Sequence, residues 1–261
     1  MYAPRCVSRG ETFLVQVFAY LAPDTQAVDD LARTFDTRAR RRAYTCLDLA
    51  VRHGQRLTFH VMAEGCSIDQ PVRHVVWAGR TAPMQFAMHI DPRFARNAII
   101  GKVSICLDGV PVGHLVFTLA IRVTGNDGRQ ADVSARVYRQ VFISYASADR
   151  AEVIKRVQML STLRINYFQD ILHLDPGDRW EQKLYRHIDQ ADLFLLFWSS
   201  AARNSKWVRK EIRYALDRKG PRDSPPEIVP VVIEGPPPPA PWPELENLHL
   251  TDRLLYLMSG A

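Results

Sequence analysis

A tryptophan and a glutamate sit four residues apart in NSKWVRKEIRYAL, residues 204–216. Val208, Ile212 and Ala215 supply the buried stripe of an amphipathic helix, and Trp207 and Glu211, at i and i+4, share a face beside it. A carboxylate next to a large ring either caps a hydrophobic seam or lines a pocket. On a helix this charged, composition alone makes Glu211 a solvated surface residue, because charged side chains are rarely buried.

Other chemistries find little support. The four cysteines, Cys6, Cys46, Cys66 and Cys106, form no CxxC pair and have no histidine cluster at zinc spacing. They read as free, buried thiols in a reducing compartment. His173, His187 and His249 are scattered, so no metal is expected. No glycine-rich phosphate loop or GxGxxG follows a strand, so no bound dinucleotide cofactor is expected either.

The chain has 261 residues, enough for one large domain or two ordinary ones. With 47% hydrophobic and 24% charged residues it has a globular balance. No apolar run approaches the roughly 20 residues of a membrane span. MYAPRCVSRGETF lacks an apolar signal core, so a cytoplasmic location without membrane attachment is expected. Residues 1–136 hold 17 basic and 12 acidic side chains, against 17 and 16 afterwards. The N-terminal excess includes RARRR at 38–42, which reads as a solvated helix face, since no aromatic residues interleave it as in a nucleic-acid surface.

The elements that must position these residues follow two grammars. TFLVQVFAYL (12–21), RLTFHVMA (56–63), VRHVVWAG (72–79) and MQFAMHI (84–90) are short, β-branched or aromatic runs between turn residues. KVSICLDGVPVGHLVFTLAIRV (102–123) predicts a hairpin, its turn at Asp108-Gly109. DTQAVDDLARTFDTRARRRAY (24–44) predicts a helix with Val28, Leu31 and Phe35 on one side and Asp24 as its cap. A mainly-β, sandwich-like domain with one helix is expected over 1–124. TGNDGRQADVSAR lacks apolar periodicity, so 125–136 reads as a linker.

From 137 strands and helices alternate: a strand ending in VFISYAS, a helix with Val153, Val157 and Leu160 inward, and the strand INYFQD. The loop ILHLDPGDR, the helix WEQKLYRHIDQA and the strand DLFLLFWSS follow, then the helix of Glu211 and EIVPVVI. DLFLLFWSS is apolar enough for a central strand buried on both faces. Such alternation predicts a parallel sheet with helices on both sides. GPPPPAPWP (235–243) reads as an extended surface loop.

VFISYAS, LDPGDRWEQKL, DLFLLFWSS and SKWVRKEI, in this order and on these elements, resemble a bacterial Toll/interleukin-1 receptor (TIR) domain over about 139–258. The resemblance implies an α/β flavodoxin-like fold for 137–261. Members of the family are either assembling adaptors or enzymes that cleave NAD+ at the nicotinamide–ribose bond, some in bacterial anti-phage defence. The cleaving kind carries a glutamate four residues after a tryptophan on the helix after the third strand, which falls on Glu211 and Trp207. The resemblance thus implies NAD+ as a consumed substrate rather than a cofactor. It gives Glu211 the catalytic role and places Tyr145, Asp170, Trp180 and Trp207 in substrate binding. Three of these keep a second reading: Trp207 as helix-packing core, Trp180 as a first-turn anchor, and Asp170 as a loop cap. Certain cleaving relatives have basic residues after the first-strand aromatic, where this chain has Ala146 and Ser147. Phosphate clamping from that strand is therefore not expected. In relatives the second-strand loop packs on a neighbouring TIR domain; here it offers Ile171, Leu172, Leu174, Pro176 and Gly177, and the alternative is that its apolar residues tuck under the loop.

The enzyme reading makes residues 1–124 a regulatory or sensor domain for an unknown activating ligand or protein. The rival reading is a non-catalytic adaptor working through TIR–TIR contacts, and a third makes the arginine run a nucleic-acid sensor.

Overall fold

Sequence alternation becomes two units, Met1–Val137 and Tyr138–Ala261. The computed structural model describes all residues except 43, 47–49, 123–132, 163–164, 170–179, 221–223, 236, 238 and 249–261, and the backbone alone at 133, 158–159, 161–162, 169, 180–183 and 246–248.

The first unit contains β1 (Tyr2–Ala3), β2 (Cys6–Val7), β3 (Thr12–Ala19), α1 (Thr25–Phe35), β4 (Arg40–Arg41), β5 (Arg56–Ala63) and β6 (Cys66–Ile68). It continues with β7 (Val72–Val76), β8 (Ala82–Ile90), β9 (Ala98–Leu107), β10 (Val110–Ile121) and β11 (Val133–Val137). One sheet runs β4-β1-β3-β8-β6 and the other β11-β10-β9-β5-β7, with β2 joined in parallel to β10. The β9–β10 hairpin turns where expected. Asp108 and Gly109 have φ of 47° and 81°, the paired positive angles a two-residue turn requires. The Asp108 carboxylate accepts from the Arg56 N–H and Gln55 Nε2, each at 2.8 Å, and so anchors the turn to β5.

Four expectations for this half need correction. Residues 133–136 are not linker, because β11 pairs with β10 from Gly113↔Val137 to Phe117↔Val133. Its Ser134, Ala135 and Arg136 are exposed, so ladder hydrogen bonds rather than burial hold this edge and no apolar period marks it. A Cβ on Gly113 would lie 2.5 Å from the Arg136 carbonyl oxygen, so the close approach of β11 requires glycine there. The helix expected to extend through 44 ends at Phe35, where Asp36 is extended and its Oδ1 accepts from the Arg38 N–H at 2.8 Å. Arg40 and Arg41 are therefore strand residues, while Arg38 pairs with Glu11 at 2.5 Å and Arg41 with Asp29. Asp24 makes no side-chain cap, and Phe35 is 47% exposed; Val28 and Ala32 form the buried stripe, against Tyr2, Phe18 and Ala39. Only Cys106 of the four thiols is buried; Cys46 is exposed and the short strands of Cys6 and Cys66 leave both partly open.

The second unit contains β12 (Gln140–Ser144), α2 (Arg150–Thr162), β13 (Asn166–Gln169), α3 (Trp180–Gln190), β14 (Leu193–Trp198), α4 (Ser200–Asn204), α5 (Lys206–Lys219) and β15 (Glu227–Val232). All pairings are parallel, in the order β13-β12-β14-β15. Every residue of β14 is buried, as a central strand requires. Pro230 is tolerated because β15 ends the described sheet. α2 buries Val153, Val157 and Leu160. Phe142, Phe194, Leu196, Trp198 and Ile228 face one side, and α3 and α5 cover them with Leu184, Ile188, Val208, Ile212 and Ala215.

The proline-rich stretch is the fifth correction. Trp242 is buried at 7% exposure and meets the Trp198 ring edge-on at 4.9 Å, while Trp198 Nε1 donates to the Pro239 carbonyl at 2.8 Å. Proline blocks helix and ladder here, but it does not keep its neighbours from packing.

Arg218 on α5 closes the end of α3. It donates to the Ile188 and Ala191 carbonyls at 3.1 Å and to that of Asp189, groups a helix end leaves without partners. Arg218→Met keeps the stem and removes the donors. A loss of about 1–3 kcal/mol is expected, read as a lower urea midpoint with unchanged m-value.

Candidate active site

Ser144 ends β12, and strand alternation puts it on the face of Phe142, the side that α5 covers. The helix start is set by Ser205, whose Oγ accepts from the Val208 N–H at 3.3 Å. Val208, Glu211, Ile212 and Ala215 are then the buried residues of α5, an i, i+3, i+4, i+7 stripe with a carboxylate in its second slot. Glu211 is thus within the stripe rather than beside it. It is 3% exposed, Ser144 is 1% exposed, and Ser144 Oγ donates to Glu211 Oε2 at 2.5 Å. A carboxylate shielded from water requires such donors, and a donor to the ionised form favours the charge. The solvated-surface reading of Glu211 fails on this geometry.

Two of the neighbouring cations are engaged with another carboxylate. Arg209 and Arg213 turn outward to Glu244, at 3.0 and 2.7 Å. With the Arg213 guanidinium foremost, this pairing holds the Glu244 carboxyl down at about 2. Lys210 Nζ lies 4.5 Å from the centre of the Trp207 ring. Trp207 is 43% exposed, which removes its helix-packing alternative. Four residues along a helix leave side chains about 40° apart and about 6 Å along the axis, so one can be buried and the other exposed.

Tyr145, directly after Ser144, is 7% exposed at the carboxyl end of β12. Ser199 Oγ, at the corresponding end of β14, donates to Asp149 Oδ2 at 2.6 Å. Burial pushes the Asp149 carboxyl up, and Glu234 adds to the effect. Glu234 itself accepts from Ser200 N–H and Oγ, both at 2.6 Å. The open end of the sheet therefore gathers serines and carboxylates, where parallel sheets place ligands. Trp180 opens α3, with only its backbone described. Asp170, Ile171, Leu172, Leu174, Pro176 and Gly177 lie outside the described residues.

Ser144 is the residue that sequence reasoning missed. Its signal was present: a lone hydroxyl at an inward position of the apolar strand VFIS.

A parallel sheet with a carboxylate buried near its carboxyl ends defines the second unit as an α/β domain with Glu211 as its candidate functional carboxylate. Residues 141–256 match the family model of the TIR domain, and the C-terminal unit is a TIR domain. No curated protein matches the chain. No helix among the described residues is long and apolar enough to cross a membrane.

Proposed function

We propose that the TIR unit cleaves NAD+ at the nicotinamide–ribose bond, with Glu211 as the catalytic carboxylate. Nicotinamide leaves with the bonding pair, and water or an adenine nitrogen then bonds the ribose carbon and gives up its proton where it has one, yielding ADP-ribose or a cyclic form of it. The observation that carries this reading is Glu211 buried in the α5 stripe and held by Ser144. Nicotinamide leaves a pyridinium glycoside as a neutral ring and needs no general acid, unlike the leaving group of an ordinary O-glycoside. What requires stabilisation is the positive charge growing on the ribose. One ionised carboxylate fixed in a water-poor site meets that need.

In this proposal NAD+ is substrate, and no cofactor takes part. Tyr145, Asp170, Trp180 and Trp207 form its surroundings, the exposed Trp207 offering a ring face for stacking. The sheet order β13-β12-β14-β15 is a 2-1-3-4 order, in keeping with a flavodoxin-like fold. The first unit, proposed as a sandwich-like sensor, regulates the enzyme, which acts in the cytoplasm as an effector of anti-phage defence.

The test is incubation of the full chain with NAD+ and chromatographic detection of nicotinamide. Absence of release at every protein concentration would return the TIR unit to the adaptor reading. We further expect assembly to complete the site through Ile171, Leu172, Leu174, Pro176 and Gly177 of a neighbouring copy. Specific activity is then expected to rise with protein concentration, and constancy across a wide dilution series would leave a site built from one chain.

A further inference from the structure

We propose that the β7 edge of the first unit, with the adjoining part of β8, takes up an extended acidic peptide of a partner protein as an added strand. β7 closes its sheet in the order β9-β5-β7, so one of its sides has no neighbouring strand among the described residues. The hydrogen bonds to β5 fix which groups that side presents. Trp77 N–H donates to the Gln55 carbonyl at 2.8 Å and Val61 N–H to that of Pro71 at 2.9 Å. Odd-numbered residues therefore face β5, and Val72, His74 and Val76 turn their N–H and C=O outward.

β8 is open along part of its length as well. Ile90 N–H donates to Glu11 at 3.1 Å, so even-numbered residues of β8 face β3. The odd ones face β6, and that pairing gives out where Asp69 N–H reaches the Ala87 carbonyl at 3.1 Å. Beyond it, Gln85 and the Pro83 carbonyl face no strand among the described residues.

The two open segments border one cavity of about 490 Å³, whose lining includes Phe35, Val72, Arg73, His74, Met84 and Gln85. Its apolar members suit the alternate side chains of a strand. Its charge selects the occupant. Among the described residues, Arg73 and His74 lie in the lining, which holds no acidic residue, and Arg73 Nε is buried without a hydrogen-bond partner. Arg73 has no ion pair among the described residues. A carboxylate on the incoming strand satisfies the guanidinium directly. A second copy of β7 would bring arginine and histidine against their own kind, which disfavours the homotypic pairing that open edges otherwise invite.

The probe is a fluorescein-labelled hexapeptide of alternating glutamate and valine, titrated by fluorescence polarisation against the full chain. Saturable binding is expected. It should weaken by at least about tenfold when lysine replaces glutamate or when alternate peptide nitrogens are methylated, the losses expected of removed charge-assisted and main-chain bonds. Arg73→Glu should have a comparable effect. His74→Pro should as well, since the His74 N–H points away from β5 and its loss leaves that ladder intact. No saturation up to about 1 mM, or equal binding of the methylated and lysine peptides, overturns the proposal. So does a concentration-dependent dimer that His74→Pro abolishes, which would assign the edge to a second copy.

Discussion

Glu211→Gln is expected to lower nicotinamide release by about a hundredfold or more, the scale of losing one preorganised electrostatic group. The substitution keeps the shape of the side chain, and the amide oxygen still accepts from Ser144 Oγ. Folding should therefore be preserved, as checked by circular dichroism and the unfolding midpoint, while the charge opposing the ribose cation is gone. Ser144→Ala separates position from charge: the carboxylate stays but loses the donor at 2.5 Å, so a smaller loss is expected. A well-folded glutamine variant that releases nicotinamide at the wild-type rate would remove Glu211 from the reaction.

Trp242→Ala should cost about 3–5 kcal/mol, as large-to-small changes of buried aromatics do. Trp242 packs edge-on against the fully buried Trp198 in the cluster that also holds Ile212 and Val208. Arg209 lies over its other aspect, 5.5 Å from the ring centre, and reaches on to Glu244. Removing the indole opens a void and loosens the outer side of α5 together. Domains are commonly stable by about 5–15 kcal/mol, so the loss takes a large share of the total. Urea unfolding of the full chain followed by tryptophan fluorescence measures it, and a change under about 1 kcal/mol would make the proline-rich stretch dispensable.

What was legible in the sequence was local. The Asp108-Gly109 turn, the apolar run of β14 and the stripe of α5 each depend on neighbours within a few residues, and each formed where its pattern put it. What was hidden depended on distant partners. Ser144 and Glu211 are 67 positions apart, so periodicity cannot pair them; the i, i+4 spacing singles out Glu211 with Trp207, composition puts it on the surface, and the family resemblance alone implies a catalytic role. Trp242 is buried because Trp198 lies 4.9 Å away, which no count of prolines reveals. β11 carries no apolar signal because an exposed edge strand needs hydrogen-bond partners more than apolar residues, and the helical pattern of α1 runs past its true end because a turn at Asp36 stops the helix before the arginines.

The three directions served by α5 make its length as consequential as its residue types. Between Ser205 and Lys219 the helix sends Glu211 to Ser144, Arg209 and Arg213 to Glu244, and Arg218 to the carbonyls ending α3. One added or deleted residue after the Ser205 cap rotates everything downstream by about 100° and shifts it by about 1.5 Å. Placed between Arg209 and Arg218, such a change turns some of these contacts relative to the others, so no one counter-rotation of the helix restores all three. Replacements at exposed positions such as Arg203 or Asn204, ahead of this stretch, can be absorbed one at a time, but a one-codon insertion or deletion inside it sets the Glu211–Ser144 bond, the Glu244 pairs and the cap of α3 out of phase with one another. Homologous helices that keep this arrangement should vary in composition while holding one spacing.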